Sequence, residues 1–351
     1  MVRASGAADE SSPGAAAELT ELLAEARAWE QIGYVTEARE AYERVIRIAV
    51  VQHLSNVLAE ALRRRAVLAH QAGESAVAAA GLQQSYAVAH AAGDLLRAAE
   101  ALNALGGLRI ETGQLEQARA VLEEAAALAA DAPPLRARVA QNLGVVATIR
   151  GDHSSATRHY EEALVAYEGL GDAHGVATAR HNLGMLAADA AMWVEADAHF
   201  TACLNLAWSA GDPHLEALCR VNRAEVQLAR GEVAEARAGV EAARRIVDKI
   251  GKRSDLPDIE RVLAHCDRAE GHLDQAETRL QRARALAAEL DAPLTAAEAA
   301  DELGDLCREL CREGEARSWY EMALRAFTAL GAERNAARTR AALATLEPDG
   351  R

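Results

Sequence analysis

A single spacing of forty residues runs through the sequence and leaves few folds open to it. It is plainest from Thr178 to Ala210, before the turn at Gly211-Asp212, where two amphipathic helical patterns stand back to back. The first carries Ala179, Leu183, Leu186 and Ala190. The second carries Trp193, Ala196, Phe200, Cys203 and Leu204, and a break near Ala191 separates the two. A lone hairpin of this kind cannot bury both apolar faces and needs a similar neighbour on each side.

The neighbours are present. The break is occupied in turn by Gly33, Gly73, Gly113, Gly151, Ala191, Gly231, Gly271 and Cys311, in steps of forty residues except the thirty-eight from Gly113 to Gly151. Five residues after each break stands an alanine: Ala38, Ala78, Ala118, Ala156, Ala196, Ala236, Ala276 and Ala316. A larger side chain there would push the second helix off the first. Four residues further on comes a larger apolar group, namely Tyr42, Leu82, Leu122, Tyr160, Phe200, Val240, Leu280 and Tyr320. Seven residues before the break the first helix carries Gly106, Gly144, Gly184 and Gly304, or alanine at 26, 66, 224 and 264. Glycine inside a helix costs about 1 kcal/mol against alanine, so its recurrence predicts close approach of another helix.

The order leucine-glycine, alanine, aromatic, alanine, as in Leu143-Gly144, Ala156, Tyr160 and Ala163, resembles the tetratricopeptide repeat family. The early tryptophan and mid-helix tyrosine of that family are missing, and the period is forty rather than thirty-four residues. Such long repeats, with Asn-Leu-Gly in the first helix, look like those of spindle-orientation adaptors, kinesin light chains and bacterial receptors for peptide pheromones. The resemblance implies an all-α fold, an α-solenoid wound as a right-handed superhelix. Eight helix hairpins are expected over 15–53, 54–93, 94–131, 132–171, 172–211, 212–251, 252–291 and 292–332, without a domain boundary. A capping helix should fill 333–347, with Arg334, Asn335, Arg338, Thr339 and Arg340 on its wet face, followed by a polar tail at 348–351, while 1–14 should form a disordered N-terminal tail.

A formal net charge of -15, with four tryptophans, six tyrosines and two phenylalanines, speaks against a nucleic-acid surface, which needs clustered cations or stacking platforms. A basic or amphipathic protein segment suits the charge better. Five scattered cysteines, Cys203, Cys219, Cys266, Cys307 and Cys311, read as free thiols of a reducing compartment. Neither a signal peptide nor a bilayer-spanning run is visible, so a soluble cytoplasmic protein with no membrane partner is expected. Trp193, Trp208 and Trp319 fit either the core or an exposed patch.

The resemblance places ligand contacts on the first helices. Two residues before the helix glycine or alanine, three consecutive repeats carry Asn142, Asn182 and Asn222. In the long-repeat relatives an asparagine there holds a peptide backbone, for which an amide offers both a donor and an acceptor. Alternatively, the asparagines bond one another or a helix end. Asn103 lies one residue out of register and is not carried over. Arg63, Arg64, Arg138, His181, Glu225, Arg261 and His265 share the same face, and Asp301, Glu302 and Asp305 close it, so the groove should run from basic to acidic.

No cofactor is implied. The histidines 174, 181 and 199 and the cysteines 266, 307 and 311 lack the paired spacing of a zinc site. No nucleophile-base pair, P-loop or dinucleotide fingerprint occurs, so an enzyme is not expected. The expected function is a non-catalytic scaffold that holds a peptide or helical segment of a partner in its concave groove. The alternative is a peptide-responsive regulator whose superhelix tightens on binding. Oligomeric state is not specified by the pattern.

Overall fold

The structure, a computed structural model, describes residues 13–346. Among these residues every regular element is helical, and consecutive helices pair as antiparallel hairpins. The chain divides after Asp172 into two compact units. The first contains the hairpins α1 (Pro13–Gln31) and α2 (Val35–Val51), α3 (Ser55–Gln71) and α4 (Ser75–Ala91), α5 (Leu95–Glu111) and α6 (Leu115–Leu128), and α7 (Pro133–Ile149) and α8 (His153–Leu170). The second contains α9 (Ala173–Asp189) and α10 (Trp193–Ala210), α11 (Pro213–Ala229) and α12 (Val233–Ile250), then a short 3-10 turn at Arg253–Asp255. It continues with α13 (Leu256–Ala269) and α14 (Leu273–Glu289), α15 (Pro293–Glu309) and α16 (Glu313–Leu330), and closes with α17 (Glu333–Ala344). None of the described helices is long and apolar enough to cross a membrane.

Each hairpin is held by the periodic positions of the sequence. The eight alanines after the break are no more than 1% exposed. The helix glycines receive the large side chain of the facing helix. A methyl group placed on Gly106 would meet Leu122 at 2.5 Å, on Gly144 Tyr160 at 2.5 Å, on Gly184 Phe200 at 2.8 Å and on Gly304 Tyr320 at 2.6 Å. Burying one such side chain stabilises by about 1.5–3 kcal/mol, which outweighs the propensity lost at the glycine.

The breaks are single residues in the left-handed conformation. Six are glycines with φ between 73° and 81°, and two are not: Ala191 at 56° and Cys311 at 57°. A residue with a Cβ pays about 1–2 kcal/mol for that conformation. Asp94, Asp152 and Asp212 each accept a hydrogen bond from the backbone N–H three residues on, at 3.0–3.1 Å, and so cap the next helix. The two-residue shortening falls on α6, whose fourteen residues compare with seventeen in α5, and Pro133 then opens α7.

Three expectations are corrected. Cys203 on α10 and Cys219 on α11 face each other with Cα atoms 6.7 Å apart and are joined as a disulfide, while Cys266, Cys307 and Cys311 are free. In α17, Thr339 is buried and donates to Asp301 at 2.6 Å, and Arg338 also pairs with Asp301, so only part of the helix is a wet face. Finally, Pro13 and Gly14, placed in a tail by the sequence reading, belong to α1; residues 1–12 and 347–351 lie outside the described residues.

Candidate functional site

The inner row of the second unit is built from α9, α11, α13 and α15. Residues at i, i+4 and i+7 on a helix share one face, and on α11 these are Leu218, Asn222 and Glu225. They line a cavity of about 370 Å³, together with Met185 of α9, Ile259, Asp258 and Arg261 of α13 and Glu298 of α15. Ile259 and Val221 form its buried apolar floor, whereas Met185 is 39% exposed at its rim.

Charge in this cavity is arranged around Arg261. Its guanidinium donates to Asp258 at 3.0 Å, to Glu298 at 2.8 Å and to Glu302 at 2.6 Å. Burial alone would lower the Arg261 pKa, but the surrounding carboxylates outweigh it and raise it. Burial would likewise raise Glu302, yet Arg261 and His265 bring it down to about 2. His265 stands 3.3 Å from Glu302, which lifts the imidazole pKa above its ordinary value against the cost of burial. Glu225 and Glu298 are pushed up, chiefly by confinement among protein atoms. Glu225 is open to water at the cavity wall, and among the described residues it enters no ion pair. The arrangement is an apolar-floored recess with a surplus of carboxylate, suited to a ligand group with a hydrocarbon stem and a polar or cationic head.

The other predicted site residues fall in different places. Asn222 lines the cavity, and Asn182 is half-buried on α9. His181 turns away from a ligand role: its ring lies 5.9 Å from that of Phe200, and its Nδ1 is 4.0 Å from the Cys219 sulfur. Burial lowers its pKa to about 4. Within the first unit, Asn142 donates to Asn103 at 3.0 Å, so the residue left out of register is its partner. Arg63 pairs with Glu100 at 3.2 Å, and Arg64 with Glu30 at 3.0 Å and Glu60 at 3.1 Å. The two arginines therefore join neighbouring helices instead of waiting for ligand carboxylates. Arg138 is exposed on α7.

The acidic trio is likewise engaged internally. Asp301 holds α17, Glu302 holds Arg261, and Asp305 accepts from the Tyr320 hydroxyl at 2.6 Å. The unengaged acidity lies two repeats earlier, at Glu225 on α11. Asp258 and Glu298 were missed because they stand four residues before the asparagine position; extending that face by one helical turn would have found them. Two further acidic groups have metal-like spacing, Asp267 with Glu270 and His272, and Glu277 with Cys307 and Glu315. Arg237 already bonds Asp267 at 2.7 Å and Glu270 at 2.9 Å, and Arg312 bonds Glu277 and Glu315, so both groups are neutralised from within.

Residues 97–169 and 135–209 match the tetratricopeptide repeat family model. No curated protein sequence matches the chain. Among solved structures, the apo form of RapI superposes with a TM-score of 0.67 at 12% identity, over 78% of this chain and 98% of that one. Aspartyl phosphate phosphatase F from Bacillus subtilis gives 0.66 at 9% identity, over 93% and 96%. A Rap protein complexed with Competence and Sporulation Factor gives 0.61 at 14%, over 96% and 98%. At these identities the likeness is one of fold.

Proposed function

We propose that this tetratricopeptide-repeat protein is a non-catalytic binding protein that takes a peptide segment of its partner on the inner face of α9, α11, α13 and α15. The observation that carries the reading is the cavity of about 370 Å³, in which the Asn222 amide stands beside apolar floor and unpaired carboxylate. Binding sites combine apolar wall with a few convergent polar groups in this way. An amide on such a wall can meet both the N–H and the C=O of an extended backbone. The interaction and regulatory roles common to this repeat fold agree with it.

A displayed random-peptide library provides the test. Peptides selected on the wild-type protein should lose about tenfold or more in affinity when Leu218→Arg or Asn222→Ala is introduced, with the melt unchanged. Selected peptides that ignore both substitutions would refute the groove. A regulatory form of the reading, in which the peptide tightens the array, is supported by the fold shared with the Rap protein complexed with Competence and Sporulation Factor. Small-angle scattering with a selected peptide should then show a smaller radius of gyration; unchanged dimensions favour a plain scaffold.

A further inference from the structure

We propose that the cavity between α9, α11 and α13 anchors one cationic side chain of the ligand, a guanidinium or ammonium on an aliphatic stem, with Glu225 as its counter-charge. The assignment rests on the groove reading above and specifies its chemistry. Three observations support it.

The first is size and wall. A volume of about 370 Å³ lies at the lower end of ligand sites, room for a side chain rather than a folded element. Met185 and Leu218 flank it over the floor of Val221 and Ile259, a surface for the methylenes of lysine or arginine, whose stems pack on apolar atoms while the head stays polar. The Met185 thioether adapts its shape to either stem.

The second is the charge count. Arg261 is the cation on the cavity wall, and its guanidinium is shared among Asp258, Glu298 and Glu302. Asp255 also lines the wall, 3.1 Å from His214, so five carboxylates, Glu225 included, stand against Arg261 and the two imidazoles of His265 and His214. An anionic ligand group would add to this surplus, and a neutral one would leave it uncompensated. The third is Glu225 itself. It lines the same recess within reach of Arg261, His265, Glu302 and Asp258, yet among the described residues it enters no ion pair; desolvation holds its carboxyl above the ordinary range, and Arg261 and His265 lower it only in part. A cation arriving beside it supplies the missing partner.

Methyl NMR on the full chain tests the assignment, with the Met185 methyl, identified by Met185→Leu, as reporter. The probes are acetyl-Ala-Arg-Ala-amide, the lysine counterpart and the citrulline counterpart, which has the shape of arginine without its charge. The arginine or the lysine probe should move the Met185 methyl saturably, and citrulline should bind about tenfold or more weakly. Glu225→Gln should abolish that difference, and since Glu225 is exposed and, among the described residues, outside any ion pair, its melt should match wild type. Which cation binds tighter distinguishes a guanidinium from an ammonium anchor. Citrulline binding as well as arginine, a Glu225→Gln variant that keeps the discrimination, or no response to either cation would overturn the assignment. If library-selected peptides still move Met185 in that case, the groove reading stands without it; if they bind and leave Met185 still, the groove reading fails too.

Discussion

His181 gives the sharpest quantitative expectation, because it separates a structural histidine from a ligand contact. Its ring is packed against Phe200 and Cys219, and burial lowers its pKa from 6.5 to about 4. Between those two values the unfolded chain binds a proton that the folded chain refuses, so stability falls as pH falls. The loss begins near the unfolded pKa and is complete below the folded one. At 1.36 kcal/mol per pKa unit it amounts to about 3 kcal/mol in full, and to about 2.5 kcal/mol at about pH 4.5. His181→Leu removes the titration while keeping an apolar contact with Phe200. Urea unfolding of both proteins at about pH 7.5 and about pH 4.5 isolates the effect, since Glu302 and His265 titrate alike in each. The wild type should lose about 2–3 kcal/mol more than the variant on acidification. Equal losses would show that the ring is solvated, and the packing argument would fail with them.

Replacing Ala191 or Cys311 by glycine should raise stability by about 0.5–1 kcal/mol each in thermal melts, because both hold a left-handed φ that glycine adopts freely. The reverse change, Gly231→Ala, should lower it by a similar amount. Gly144→Ala should cost about 1–3 kcal/mol in urea although alanine is the better helix former, since the new methyl would lie 2.5 Å from the Tyr160 ring. Asn103→Ala and Asn142→Ala should be non-additive in a double-mutant cycle, with a coupling of about 0.5–1.5 kcal/mol; additive losses would deny their hydrogen bond.

The fold was legible because its determinants recur at identical positions. The alanine after the break, the helix glycine and the large side chain that fills it all act inside one hairpin, so a spacing in sequence is a spacing in space. Gly144 and Tyr160 needed only the knowledge that both lie on paired helices. The site was less legible because it depends on contacts between hairpins, where like positions do not face each other. Arg64 reads as a free cation in sequence and becomes part of a pair once Glu30 and Glu60 are brought beside it. The Cys203–Cys219 bond and the buried Thr339 have the same origin, a neighbour that the repeat period does not name.

The offset between neighbouring first helices can be read from two pairs. Asn103 stands three residues before its helix glycine and meets Asn142, which stands two before its own; Arg261 stands three before Ala264 and meets Glu302, two before Gly304. One slot, third-from-small facing second-from-small, therefore joins successive first helices in both units, once by amides and once by charge. The same slot in the second unit sets His181 opposite Asn222. Because His181 turns instead onto Phe200 and Cys219, Asn222 is left without the partner that Asn142 has, and it opens onto the cavity. The asparagines occupy one position of the repeat and yet divide in environment: where the slot closes, the amide joins two helices, and where it fails to close, the amide and the neighbouring Glu225 line the cavity.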